Sequence, residues 1–297
     1  MLWQNDNAII VGKHQNALAE INLDYVKEKS IHVVRRLSGG GAVYHDMGNL
    51  NFSFTHTGSD ASKMVDFRKY TQPIIDVLQS LGVNATFEGR NDLMIEGKKF
   101  SGNAEHVVGK KVLHHGTLLF SSQMRDISGA LKINPLKYKG RATKSVPKRV
   151  TNIVDHLESP ISLEAFRDKI MDHIVATHEN CRMYEFSEDD LATIQKIRDE
   201  KYATWDWNFG YSPEYDLTQG IRTDAGTIEI HMNVADGKIT GLKLLGDFFH
   251  IKSVEELEEK LIGCKHEESA LLSRLREIKP DTYIKDLKPE ALVEGML

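Results

Sequence analysis

Three features of the chain predict an α+β fold. Short apolar runs alternate with polar residues at period two, amphipathic stretches at helical spacing fall between them, and the pattern changes around Asn208 to Gly220. Leu50, Phe52 and Phe54 alternate with Asn51, Ser53 and Thr55, the period of a half-buried strand. Phe67, Tyr70, Ile74, Leu78 and Leu81 recur at the spacing of one helix face.

Taken in order, Ala8 to Val11 is an apolar run closed by Gly12 and reads as a buried strand. A helix is predicted over Ala17 to Lys27. His32 to Arg36 reads as a strand running into Leu37-Ser38-Gly39-Gly40-Gly41, and Ala42 to Tyr44 resumes extended structure. Pro73 predicts that the Phe67 to Leu81 helix is kinked or begins late. Ala85 to Phe87, Asp92 to Ile95, Lys99 to Val107 and Lys111 to Phe120 read as strands, with a turn at Glu96-Gly97. Helices are predicted over Met124 to Lys132, Leu163 to Thr177 and Glu188 to Tyr202. Gly, Pro and Ser punctuate the polar stretch Asn208 to Gly220, the expected domain boundary. Beyond it, Ile228, Ile230, Met232 and Val234 alternate on one strand, and Asp236-Gly237 signals a hairpin into Ile239 to Leu245. Ser253 and Glu256 form a capping-box pattern opening a helix with Leu257 and Leu261 on one face. The expected division is therefore 1–211 and a small αβ unit over 220–297, about eighty residues.

Composition narrows the function. With 297 residues and 40% apolar content, the chain can bury a sizeable core. A net charge of −5 argues against a general nucleic-acid coat, and no apolar run is long enough to span a bilayer. The first residues lack the basic start and long apolar stretch of a secretory signal. Cys181 and Cys264 stand far apart, which argues against a disulfide framework or a cysteine-rich zinc site.

The densest chemistry lies in Arg35-Arg36-Leu37-Ser38-Gly39-Gly40-Gly41-Ala42-Val43-Tyr44-His45. Consecutive glycines let the backbone approach a ligand and present N–H groups to an anion, and two arginines can hold its oxygens. The same composition also suits a glycine turn with solvated arginines. Neither GxxxxGK[ST] nor GxGxxG followed by a helix is present. A second block, Gly89-Arg90-Asn91-Asp92-Leu93 and Lys98-Lys99-Phe100-Ser101-Gly102-Asn103, offers an amide, a carboxylate and an ammonium. Each taken singly reads equally as a solvated polar residue. A third, basic stretch holds Lys132, Lys137, Lys139, Arg141, Lys144, Lys148 and Arg149, and suits either a mobile phosphate-meeting loop or a solvated one. His114-His115-Gly116-Thr117 lacks nearby ligands at metal spacing, so a structural or substrate-lining role is expected. Trp205-Asp206-Trp207-Asn208-Phe209 reads as a core anchor beside the boundary.

Together RRLSGGGAVYHDMGNLNFSF, GRNDLMIEGKKFSGNA, HHGTLLF and KSVPKRVTNI, in this order and spacing, resemble the lipoate–protein ligase family. The resemblance continues through WDWNFG and GDFF and covers nearly the whole chain. It implies the catalytic fold shared with biotin ligases, mixed β-sheets with helices packed around them, plus a small C-terminal accessory domain. It also implies a cytoplasmic, ATP-dependent ligase that converts lipoate and Mg-ATP to lipoyl-adenylate, releases pyrophosphate, and passes lipoyl to a lysine. By position, Arg36 and the backbone of Gly41, Ala42, Val43 and Tyr44 match ATP-binding sites, and Gly40 and Gly41 lie beside lipoate. Lys99 matches the catalytic lysine that contacts both the lipoate carboxylate region and the nucleotide. Asn91 and Asp92 fall in the adenylate neighbourhood, with Asp92 the candidate Mg²⁺ ligand, and Gly140 to Thr151 matches the loop that orders over the adenylate. The implied partners are lipoate and lipoyl-acceptor domains of 2-oxoacid dehydrogenase complexes or the glycine cleavage H protein, with no nucleic acid, membrane or prosthetic group. One departure is that the family usually has roughly thirty to forty residues, a strand and a helix, ahead of the segment matching Met1 to Val11.

Two alternatives share these residues. An octanoyl or lipoyl transferase would need a thiolate, but Cys181 and Cys264 lie outside the motif blocks. A non-catalytic relative would hold lipoate or an acceptor domain without chemistry, and Lys99 argues against it. A biotin ligase fits poorly because its Arg/Gly-rich loop differs from GGGAVYH.

Overall fold

A computed structural model of the chain describes residues 1–58, 65–131, 137–145 and 149–297. Lys132 and Lys148 of the basic stretch lie outside the described residues, as does part of the expected Gly140 to Thr151 loop. Two compact units interleave along the chain. One comprises Met1–Lys13, Asp24–Leu131 and Ser145–Lys196, and the other comprises His14–Leu23, the described part of Lys132–Lys144, and Ile197–Leu297. Among the described residues no helix is long and apolar enough to cross a membrane.

The first unit holds two sheets. The smaller joins β2 (Ala8–Val11) in parallel to β3 (His32–Arg35) and antiparallel to β4 (Val43–His45). The larger runs β1-β5-β9-β8-β7-β6, formed by β1 (Leu2–Trp3), β5 (Asn49–Thr57), β6 (Ala85–Glu88), β7 (Asp92–Ile95), β8 (Lys98–Val108) and β9 (Lys111–Leu119). One face of this sheet buries Leu50, Phe52, Leu93, Phe100 and Leu118 with Ile74 and Leu78 of α3 (Phe67–Ser80) and Phe166 of α5 (Leu163–Thr177). The caps of these helices are local. Asp66 and Ser162 accept hydrogen bonds from the Lys69 and Ala165 N–H groups, and Gly82, at φ +80°, turns the chain out of α3.

The second unit curls β10 (Tyr138–Gly140), β11 (Tyr215–Thr223), β12 (Gly226–Ala235) and β13 (Lys238–Gly246) into an antiparallel sheet. Ile228, Ile230, Met232 and Val234 of β12 pack against Leu257 and Leu261 of α7 (Val254–Leu261), Leu271 and Leu275 of α8 (Glu268–Ile278), and Leu292 of α9 (Pro289–Met296). Trp205 and Trp207 are only half-buried and lie outside this core cluster; Lys201 stands 4.2 Å from the centre of the Trp207 ring, and a Cβ at Gly237 would strike Trp205.

The structure departs from expectation at definite places. The helix predicted over Ala17 to Lys27 is two helices, α1 (Ala17–Glu20) and α2 (Leu23–Glu28), because Ile21 is extended at ψ 153°. Helix α3 continues through Pro73 rather than starting after it. Strand β5 is not half-buried at its start: Asn49, Leu50, Asn51 and Phe52 are all at most 1% exposed, so its polar face is covered too. The Met124 prediction ends early, in α4 (Met124–Ala130), and α6 (Glu188–Ile197) gives way to a wider π-helical turn over Arg198–Tyr202. The polar stretch expected to be a boundary contains most of β11, and the basic stretch contains β10.

Strand β9 carries two histidines facing opposite ways. His114 lies among Phe52, Phe67 and Tyr70, with its Nδ1 2.9 Å from Glu105 Oε1. Burial holds His114 neutral, at about 3, and pushes Glu105 up to about 6. Since the folded carboxyl binds its proton more tightly than the unfolded one, Glu105 removes stability as pH rises from 4.5 through 6. Glu105→Gln keeps an acceptor for His114 and discards the charge. Its stability relative to wild type is expected to improve by roughly 1–2 kcal/mol between pH 4.5 and 7. Denaturant melts at both pH values measure this, and a pH-independent difference would count against the assignment.

Candidate active site

The glycine-rich segment is the crossover from β3 to β4, and it is laced to the end of β2. Arg35, fully buried, donates from Nη1 to the carbonyls of Gly12 and Lys13 at 3.0 Å each. It is interior scaffolding, neither the solvated arginine nor the anion holder that the sequence left open. Arg36 donates from Nη2 to Gly39 O and Gly41 O at 2.7 Å, from Nη1 to Ile10 O at 2.9 Å and from Nε to Ser38 Oγ at 3.2 Å. Desolvation lowers its guanidinium only to about 10, so it stays charged while making three hydrogen bonds to its own loop and one to β2. Glycine is required at Gly40 by φ +94°, and at Gly12 because a Cβ would lie 2.0 Å from Gly40 O. A Cβ at Gly39 meets nothing. The Ala42 N–H donates to Ser145 Oγ at 2.9 Å, while Val43 and Tyr44 enter β4 opposite Ile10 and Ile9.

Lys99 is held from every side. Its Nζ lies 2.9 Å from Asp92 Oδ1, with the carboxylate buried and the ammonium a quarter exposed. Asp92 sits directly across from Gly102, and a Cβ at Gly102 would come within 2.8 Å of that Nζ. The register slips between Leu93 and Met94, which leaves Phe100 as the extra residue of a bulge and re-aims Lys99 from the core. The backbone of Lys99 donates to Arg149 O at 2.9 Å and accepts from Thr151 N–H at 3.0 Å. Thr151 Oγ1 is in turn 2.9 Å from His156 Nε2. Asn91 does not turn toward Lys99; its amide donates to Asn103 O at 2.5 Å and closes the β7–β8 hairpin.

Strand β9 joins the two halves. His115 Nε2 is 2.5 Å from Ser38 Oγ of the glycine segment, and two residues along the same face Thr117 Oγ1 accepts from Gly102 N–H at 3.3 Å. That separation is about 7 Å. Beside these, Ser145 meets Ala42, and Arg149 and Thr151 meet the backbone of Lys99. Burial lowers His115 to about 4 and His45 to about 3, with Arg36 adding to both effects. Both rings are therefore neutral at physiological pH, and positive charge comes from Lys99 and Arg36.

The donor set bears on a metal. Among the described residues no group of three or more His, Cys, Asp or Glu could hold an ion. Asp92 is a single carboxylate already paired with Lys99, which suits only an ion whose other ligands are phosphate and water. Thr117, Ser145 and Thr151 lie in blocks singled out from sequence, but their contacts and the Asp92–Lys99 pairing were not foreseen, because each depends on residues distant in the chain.

A family model for the lipoyl protein ligase A/B catalytic domain matches residues 1–175, and one for the bacterial lipoate protein ligase C-terminus matches 212–296. The chain is 40% identical over 296 residues to a lipoate–protein ligase of Bacillus subtilis (strain 168), covering 99% of this chain and 89% of that protein. It resembles a solved lipoate–protein ligase A bound with ATP, at TM-score 0.60 and 28% identity, covering 71% of this chain and 85% of that one. It also resembles a bipartite lipoate protein ligase of Thermoplasma acidophilum, from a study that includes its E2 lipoyl domain, at TM-score 0.61 and 29% identity, covering 71% and 83%.

Arg36→Ala strips the acceptors Ile10 O, Gly39 O and Gly41 O of one shared donor. A loss of about 2–4 kcal/mol in folding stability is expected. Arg36→Lys should recover only part, because an ammonium lacks the planar fork. Unchanged denaturation midpoints for Arg36→Ala would mean that the residue does not organise the loop.

Proposed function

Since the chain belongs to the lipoate–protein ligase family and is an enzyme, a ligase, we propose that it joins lipoate to a lysine of an acceptor protein through lipoyl-adenylate made from ATP. The observation that carries this reading is the Lys99 ammonium, fixed over Gly102 by Asp92 and one β9 face away from the glycine segment. An oxygen of the lipoate carboxylate attacks the α-phosphorus, the bond to the bridging oxygen breaks, and pyrophosphate leaves. The acceptor amine then attacks the acyl carbon, sheds a proton, and releases AMP. Negative charge grows first on phosphate oxygens and then on the acyl oxygen. A positioned ammonium stabilises both, and the neutral His45 and His115 cannot. Mg²⁺ arriving with ATP would screen the phosphates, with Asp92 as its protein carboxylate.

In this reading Arg36, Gly41, Ala42, Val43 and Tyr44 frame the nucleotide, Asn91 braces the hairpin beside the adenylate, and Gly40 and Gly41 border lipoate. Residues 1–211 form the catalytic part and 220–297 the accessory part. The acceptors are lipoyl domains of 2-oxoacid dehydrogenase complexes or the glycine cleavage H protein, met in the cytoplasm. A thiol route finds little support: Cys264 is half-buried, and burial pushes its thiol up, away from the thiolate.

Pyrophosphate release with lipoate and Mg-ATP, followed by the mass of a lipoyl-acceptor domain, tests the activity. Lys99→Ala is expected to reduce adenylate formation by at least two orders of magnitude while the fold survives. Normal adenylate formation by the folded variant would sink the role of Lys99. The double variant Cys181→Ser with Cys264→Ser should ligate at nearly the wild-type rate. Complete loss of transfer with the fold preserved would instead favour the thiol route.

A further inference from the structure

The Ala42 amide is one of the N–H groups assigned above to the nucleotide, yet here it is paired with the Ser145 hydroxyl at 2.9 Å. The contact is built rather than incidental. A Cβ at Gly41 would lie 2.9 Å from Ser145 Oγ and 3.2 Å from its Cα, so the absence of a side chain at Gly41 is what admits Ser145. The hydroxyl thus offers the amide the oxygen that a ligand would otherwise supply. A neutral hydroxyl is a weaker acceptor than an anionic phosphate oxygen, so a phosphate can take the amide from it. We propose that Ser145 stands in for the nucleotide: its hydroxyl occupies the Ala42 amide until a phosphate oxygen displaces it.

This inference rests on the nucleotide reading of the glycine segment, and the experiment separates the two. Mg-ATP binding is measured by calorimetry for the wild-type chain, Ser145→Ala and Ser145→Asp. Ser145→Ala removes the competing acceptor and is expected to tighten binding by about three- to tenfold. Ser145→Asp sets a carboxylate against the same amide and should weaken binding at least tenfold while far-UV circular dichroism is unchanged. Binding by Ser145→Ala that is equal to or weaker than wild type overturns the stand-in role, as does wild-type affinity in a folded Ser145→Asp. Should Ser145→Asp not fold, Ser145→Ala alone decides. A wild-type chain that binds no Mg-ATP overturns the nucleotide reading as well.

Discussion

The candidate site depends on the Arg36 guanidinium, which is spent on carbonyls of the segment that carries it. A run of three glycines has little conformational preference of its own, and ordering it is entropically costly. Arg36 offsets that cost by binding Gly39 O and Gly41 O from one nitrogen and Ile10 O from another, which ties the crossover to β2. Ser38 then passes the constraint on, since its hydroxyl meets both Arg36 and His115. The shape of the loop is thus transmitted into β9, and through Thr117 to Gly102 and Lys99.

Charge within this arrangement is distributed by burial. Three histidines of the unit, His45, His114 and His115, are all held neutral because their surroundings cannot solvate a cation. Lys99 keeps a partly exposed ammonium beside Asp92, a place where water and a carboxylate share its stabilisation. An adenylate-forming site needs a permanent, fixed cation rather than a titrating one, because the same charge serves two successive oxyanions. The structure separates these tasks by placing hydrogen-bonding rings in the interior and the cation where it is partly exposed.

Much of this was legible in the sequence, but unevenly. Strands with strong periodicity, such as the one through Ile228 to Val234, and helices with clear ends, such as Leu163 to Thr177, lie where their patterns put them. Strands β10 and β11 were hidden because Gly140 and Gly220 and polar residues such as Lys139, Asp216 and Gln219 interrupt their apolar residues, and each is paired with a neighbouring strand. Lys99 and the glycine segment stood out as motifs. Their geometry did not: nothing local distinguishes Arg35, sealed inside, from Arg36, which clasps the loop. The pairing of Asp92 with Lys99 was hidden because it depends on a register slip opposite Phe100. Asn51 looked solvent-facing because period two reports alternation, not whether the second face is covered.

The donors that would receive a nucleotide are already satisfied within the chain, and this has an energetic consequence. A buried amide without a partner costs about 1–3 kcal/mol, so a site of unpaired donors would destabilise the unliganded fold. Here the Ala42 amide has Ser145, Arg36 has its carbonyls and Lys99 has Asp92. Ligand binding then exchanges neutral or internal acceptors for anionic ones instead of filling a void. Affinity comes from the difference between the two partners, which is smaller than the full strength of either contact. Such an exchange suits an enzyme that must release AMP every cycle, because the internal partners return as the product leaves.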